Sequence, residues 1–286
     1  MKSTKPASQL SSDPRAPHSV RATVPSLNQT FGRYRITFAR TPAELDEALR
    51  LRFEVFNVEL GEGLEESFAT RRDRDEYDDQ FDHLLVIDDR EDVVIGTYRL
   101  QVRESALAGK GFYSESEFDL SGLPAEVLDD SIELGRACIV REHRNSRVLF
   151  LLWAGLANYV LWNKKRYFFG CCSLTSQDPG EGLRAYNQLE AAGHIHPEFR
   201  ALPMPGYQCE VPEEDIAAAL TGPEVKIPRL FGTYLRYGAK LCGPPAIDRF
   251  FGTIDFLALL DVEKVDPRTF QQFAAPSDAP SDDAAK

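Results

Sequence analysis

Residues 131–174 read SIELGRACIVREHRNSRVLFLLWAGLANYVLWNKKRYFFGCCSL. Within them, residues 132–140 form an apolar run broken by Glu133 and Arg136, and residues 167–174 form a second run rich in aromatic residues and cysteine. Between the two, residues 148–162 are apolar apart from Asn158. A membrane span needs about 20 such residues, so this shorter stretch predicts a buried helix over roughly residues 147–162. The segment therefore reads strand, buried helix, strand.

Working outward, Tyr34-Arg35-Ile36-Thr37-Phe38 alternates with the period of a half-buried strand. Thr41-Pro42-Ala43-Glu44 is a capping box with proline at the first helical position. Leu45, Ala48, Leu49, Phe53 and Phe56 then recur at helical spacing. Residues 83–88 and 93–102 predict a hairpin across a polar turn. Downstream, Asp178-Pro179-Gly180-Glu181 caps a helix through Leu183, Tyr186 and Leu189 that stops at Gly193. Pro228 opens another through Leu230, Tyr234 and Leu235, and residues 254–260 predict a last strand. This order predicts an α+β (mixed α/β) domain with a central mixed sheet covered by helices, not a barrel or a doubly wound sheet. Neither a GxGxxG nor a GxxxxGK[ST] phosphate loop is present. Residues 1–32 and 274–286, rich in Ser, Pro, Asp and Ala, are expected to be disordered tails around a domain at 33–273.

With 45 acidic against 33 basic residues the net charge is -12. That excludes bulk nucleic-acid binding, which needs clustered Lys and Arg, and adhesion to an anionic membrane through overall charge. The N-terminus has no apolar core of a signal peptide, so a soluble, cytoplasmic protein is expected, with peripheral contact with the inner membrane left open. The five cysteines show no zinc spacing and read as buried thiols, with no metal implied.

The anomalies are charges on apolar faces. Arg52 falls on the buried face of the first helix, either snorkelling to water or paired with carboxylates. Asp75, Glu76, Tyr77, Asp78 and Asp79 follow three arginines, as a solvated loop or as those partners. Arg99 interrupts one strand, and Glu133 and Arg136 interrupt another. Arg136 points away from Glu133 unless a bulge at Gly135 turns it back. Buried charges are rarely left unpaired, so a network of Arg52, Asp75, Asp78, Arg99, Glu133 and Arg136 makes physical sense as structure or as a site.

These motifs, in order, are Arg52-x-x-x-Phe56, Asp75-x-x-Asp78, Arg99 and Glu133-x-x-Arg136. The series resembles the acyl-homoserine-lactone synthases. It is still more similar to the acyltransferases of ornithine-lipid and glycine-lipid synthesis, often labelled hemolysin-like. The latter share segments like those at 112–120, 152–156 and 234–246, and the resemblance spans about residues 34–261. It implies a GNAT-like acyltransferase fold. It also implies transfer of a long-chain, optionally 3-hydroxylated, fatty acyl group from acyl carrier protein (or acyl-CoA) to the amine of an amino acid such as ornithine or glycine. No cofactor beyond that donor is implied. Glu133 is implied to orient the amine and accept its proton, directly or through water, with Arg136 beside it, while Arg52, Phe56, Asp75, Asp78 and Arg99 build the substrate side. Donor binding falls to Arg144, Ser146 and Arg147, at a strand-to-helix junction whose free N–H groups favour anions. The clusters Arg141/Arg144/Arg147 and Lys164/Lys165/Arg166 could dock an acidic carrier or simply be solvated helix ends. An acetyl-CoA enzyme, a lactone-type signal synthase and a membrane-active hemolysin are the competing readings. The absent glycine-rich loop disfavours the first, the missing Trp after the first helix the second, and the lack of a spanning segment the third.

Overall fold

The computed structural model describes residues 23–274. The expectation of disorder at residues 1–22 and 275–286 concerns residues outside that range.

The main sheet is built from β1 (Gln29–Phe31), β2 (Tyr34–Phe38), β3 (Asp82–Asp88), β4 (Val93–Val102), β5 (Ser131–Ile139), β6 (Tyr167–Leu174), β7 (Lys240–Leu241), β8 (Ala246–Asp248) and β9 (Thr253–Asp261). Its order is β1-β2-β3-β4-β5-β6-β9-β8, with β7 beside β9. Every pairing is antiparallel except β5 with β6. That parallel pair is the one joined by a helical crossover, as parallel strands require. The architecture is the α+β arrangement expected, a mixed sheet with helices on its faces.

The crossover helix α2 (Ser146–Asn163) follows α1 (Pro42–Phe53) in the chain and is buried along most of its length. It lies on the sheet face carrying Ile36, Phe38, Leu84, Tyr98, Leu100, Ile132 and Leu134. Gly155 sets the approach, because a Cβ there would stand 2.5 Å from Leu84 and 2.7 Å from Ile36. Three further helices of eight or more residues follow among the described residues, α3 (Pro179–Ala191), α4 (Arg229–Arg236) and α5 (Pro267–Ala274), beside several helices of four to six residues. The outer side of α2 is covered by α5, with Trp153 stacked on Phe273 at 5.8 Å. No helix among the described residues is long and apolar enough to cross a membrane.

On the opposite face, α1 begins at the expected capping box. Thr41 Oγ1 accepts from the Glu44 N–H at 3.2 Å and Glu44 accepts from the Thr41 N–H at 2.9 Å. The helix continues as a π-helical turn, Glu54–Leu60, which ends at left-handed Gly61. Two expectations need correction. Residues 23–32 are not disordered throughout, because Gln29–Phe31 pairs with Tyr34–Ile36 across a turn and Leu27 is buried. The boundary at residue 273 cuts the last turn of α5, which runs to Ala274 and buries Phe273 against α2.

Candidate active site

The site starts from a break in the β4–β5 ladder. Thr97 pairs with Cys138 and Arg99 with Gly135, so Tyr98 alone stands opposite both Arg136 and Ala137. The extra residue is a β-bulge, and Arg136 occupies it with φ 50. A non-glycine residue there costs about 1–2 kcal/mol, which must be offset by what its side chain meets. The bulge turns Arg136 onto the face of Arg99, where its guanidinium lies 3.3 Å from both Asp73 and Asp75 and 4.1 Å from the Phe251 ring.

The other charges converge on the same carboxylates. Arg52 donates to Asp73 at 2.7 Å and to Asp78 at 2.6 and 3.2 Å. Arg99 donates to Asp75 at 2.6 Å and to Asp78 at 3.1 Å, with Phe81 and Tyr113 flanking its plane. Arg52 is fully buried, which excludes snorkelling. Three arginines face three aspartates, so the network is neutral in sum. Burial alone would raise the Asp78 carboxyl, but Arg52 and Arg99 hold it far below the usual range. The sequence reading did not pick out Asp73, because Arg72-Asp73-Arg74 looks like a solvated turn; only its spacing from Asp75 and Asp78 hinted otherwise.

Glu133 does not join this network. Gln101 Nε2 (2.6 Å), the Tyr113 N–H (2.9 Å), the Ser114 N–H (2.6 Å) and Ser114 Oγ (2.7 Å) all donate to its two oxygens. Its carboxylate clamps the Tyr113–Ser116 turn to β5 and does not line the adjoining cavity. Both Glu133 oxygens are thus engaged from inside the fold, so any part it takes in accepting the amine's proton would run through the turn or a water. Burial raises its carboxyl, and the donors from Ser114, Gln101 and Tyr113 oppose that rise.

The cavity opens where β5 and β6 part. They pair only over Ser131–Glu133 with Tyr167–Phe169. Just beyond, Gly170 passes so close to β5 that a Cβ would stand 2.2 Å from the Leu134 carbonyl oxygen. The strands then diverge around a 310 Å³ cavity lined by both. Strand alternation makes the cavity two-sided. Phe168, Ala258 and Leu260 belong to the α2-side core, where Phe231 and Tyr234 of α4 join them. Residues 171, 173 and 255 line it from the opposite side, together with Phe56, Glu62, Tyr113, Glu117, Arg136 and Asp248. One side is therefore apolar and the other strongly acidic. Burial raises Glu62, and raises Glu117 well above the ordinary carboxylate range with help from Asp255 and Asp248. No thiol there is poised as a nucleophile, because burial pushes Cys171 well above its usual value.

Arg144, Ser146 and Arg147 lie apart from the network, at the exposed junction of β5 and α2. Arg144 makes a bidentate pair with Glu59 at 2.6 and 2.7 Å, which Arg141 shares at 3.1 Å. Asn145 caps α2, accepting from the Arg147 and Val148 N–H groups at 3.0 and 3.1 Å. Part of the anion-binding capacity expected at Ser146 is therefore filled by the chain itself.

Residues 51–154 match the acetyltransferase (GNAT) domain family. A relative in Agrobacterium fabrum, an L-ornithine Nα-acyltransferase, is 35% identical over 235 residues, 79% of this chain and 80% of that one. The chain belongs to the L-ornithine Nα-acyltransferase family. A second member, from Rhizobium meliloti, is 32% identical over 253 residues, covering 83% of each chain. Among solved structures, the acyl-homoserine-lactone synthase LasI is 13% identical over 87% of this chain and 98% of its own, with a TM-score of 0.47. The protein is an acyltransferase with a GNAT-type α+β fold, as the motif series implied. In this member of the family, Arg52, Asp75, Asp78, Arg99 and Arg136 come together as expected, with Phe56 at the cavity beside Phe251. Besides Asp73, the residues missed by the sequence reading are Glu62, Glu117, Asp248 and Asp255. They lie in three separate segments, with Asp248 and Asp255 on one hairpin, and only the fold gathers them.

Proposed function

We propose that this chain transfers a long fatty acyl group from a carrier-protein thioester to the α-amine of ornithine in the cytoplasm, giving a lyso-aminolipid. The observation that carries the reading is the two-sided cavity between β5 and β6. Its apolar side suits an acyl chain, whose burial is favourable by about 0.8 kcal/mol per methylene. Its acidic side suits an acceptor bearing a second ammonium group. Among the described residues that line it, Arg136 is the sole cation, and Asp73 and Asp75 already face that charge.

The parted strands leave backbone N–H and C=O groups of residues 134–137 without sheet partners on the cavity edge, a fit for the amides of a pantetheine arm. Attack by the amine on the thioester needs no enzyme nucleophile, which accords with the unreactive thiols. The capped α2 terminus favours a carrier-protein donor over a free coenzyme pyrophosphate, since Asn145 already engages two of the N–H groups that would hold one. Arg141, Arg144 and Arg147 are the basic rim that an acidic carrier would meet. Expression in a host lacking aminolipids, followed by mass spectrometry of lipid extracts, tests this. Nα-acyl ornithine should accumulate with the intact protein and not with Arg99→Ala, whereas an unchanged lipid profile would count against the reading.

A further inference from the structure

The reaction proposed above needs a group that takes a proton from the acceptor's ammonium, and Glu133 is sequestered from the cavity. Glu117 and Asp255 do line it. Glu117 leaves the turn that Glu133 clamps, and Asp255 sits on β9 opposite Ser173. Together with Asp248 they bring one oxygen each to within 4.8 Å of one another, all three buried. Asp255 accepts from Ser173 Oγ on one oxygen and from Thr253 Oγ1 at 2.8 Å on the other. Two buried carboxyls this close cannot both be charged, so one proton is shared between them. With the hydroxyls donating to Asp255, that proton resides on Glu117.

We propose that Asp255, sharing a proton with Glu117, is the group that accepts the proton of the incoming ammonium. The proposal rests on the acyl-transfer reading above. The pair starts with one proton and takes a second from the ammonium. The neutral amine attacks the thioester carbonyl, forming the C–N bond and a tetrahedral adduct with an alkoxide and a cationic nitrogen. As the C–S bond breaks, the nitrogen's second proton passes to the departing sulfur, giving amide and thiol. The pair then returns its extra proton to solvent.

The groups facing the pair are Asp248, Glu62, Tyr113, Tyr207, Cys171 and Arg136. Burial and Asp248 raise the affinity of Asp255 for a proton above that of an ordinary carboxylate, against the hydrogen bonds from Ser173, Thr253 and Glu117. Activity should therefore be present above the pair's apparent pKa and fall as pH drops through it.

The test is kcat/KM against pH for wild type, Asp255→Asn and Glu117→Gln, with a long-chain carrier thioester and ornithine, beside donor binding and Tm. Asp255→Asn should cut kcat by about 100-fold or more near neutrality with donor binding intact, the loss shrinking as pH passes the amine's own ionisation. Glu117→Gln should move the acid limb to higher pH, because the protonated carboxyl whose hydrogen bond lowers Asp255 is replaced by a weaker amide donor. A folded Asp255→Asn with wild-type turnover overturns the proposal, as does a limb that Glu117→Gln leaves in place. Should Asp255→Asn not fold, the position of the limb in Glu117→Gln decides alone. A wild type that never acylates ornithine sinks the acyl-transfer reading instead.

Discussion

Arg52 and Glu133 are both charges buried on apolar faces, yet they hold different things. Arg52 ties α1 to the Asp73–Asp78 loop, and removing one partner of a buried ion pair costs about 3–5 kcal/mol. Arg52→Ala should lower Tm sharply in a thermal melt and lower activity with it. Glu133→Gln is a finer probe. It would aim an amide N–H₂ at the N–H of Ser114 or Tyr113, and a buried unmatched donor costs about 1–3 kcal/mol. The expected result is a lower Tm and a lower kcat, with the acid limb of the rate profile where it was. If Glu133 were the base, that limb would vanish while Tm held. His83 gives a third test. It is wholly buried, and burial lowers it to about 4. The unfolded chain therefore binds one more proton than the fold between about pH 6.5 and 4. Stability is complete above 6.5 and declines by about 3 kcal/mol as pH falls to 4. Urea unfolding at several pH values measures it, and His83→Gln should flatten that slope.

At the scale of elements, the decisive feature is the parting of β5 from β6. Gly170 permits it, since any side chain there meets the Leu134 carbonyl oxygen. Gly170→Ala should destabilise by about 1–3 kcal/mol and impair turnover by shifting the cavity walls, which melting and steady-state rates would report. Much of the element level was legible in the sequence. The capping box at Thr41, the hairpin at residues 83–102 and the strand–helix–strand at residues 131–174 each follow from a local pattern of period or capping. The bulge was legible only as a question, because Glu133 and Arg136 have wrong parity for one face; the structure answers it at Arg136 and not at Gly135. Strand β1 escaped because three residues in a polar run carry no usable period. The acidic side of the cavity escaped for a different reason. Asp248 and Asp255 share one hairpin, but Glu62 and Glu117 lie far from it in sequence and reach it only through the fold.

At the scale of the whole molecule, a chain of net charge -12 would meet the acidic carrier proposed as its donor only where its cations gather locally. Arg141, Arg144 and Arg147 do so beside the β5–α2 junction, although Glu59 offsets part of that charge. Added salt should therefore raise the carrier donor's KM more than it changes kcat, because screening acts on encounter. Arg144→Glu, placed against Glu59, should raise KM further. The most direct test of the account is the purified protein with ornithine, supplied with either a long-chain acyl carrier thioester or acetyl-CoA, the products read by mass spectrometry. The account predicts Nα-acyl ornithine formed one-for-one with carrier thiol, and little product from acetyl-CoA. Thioester hydrolysis without amide, or acetylation at an equal rate, would contradict it.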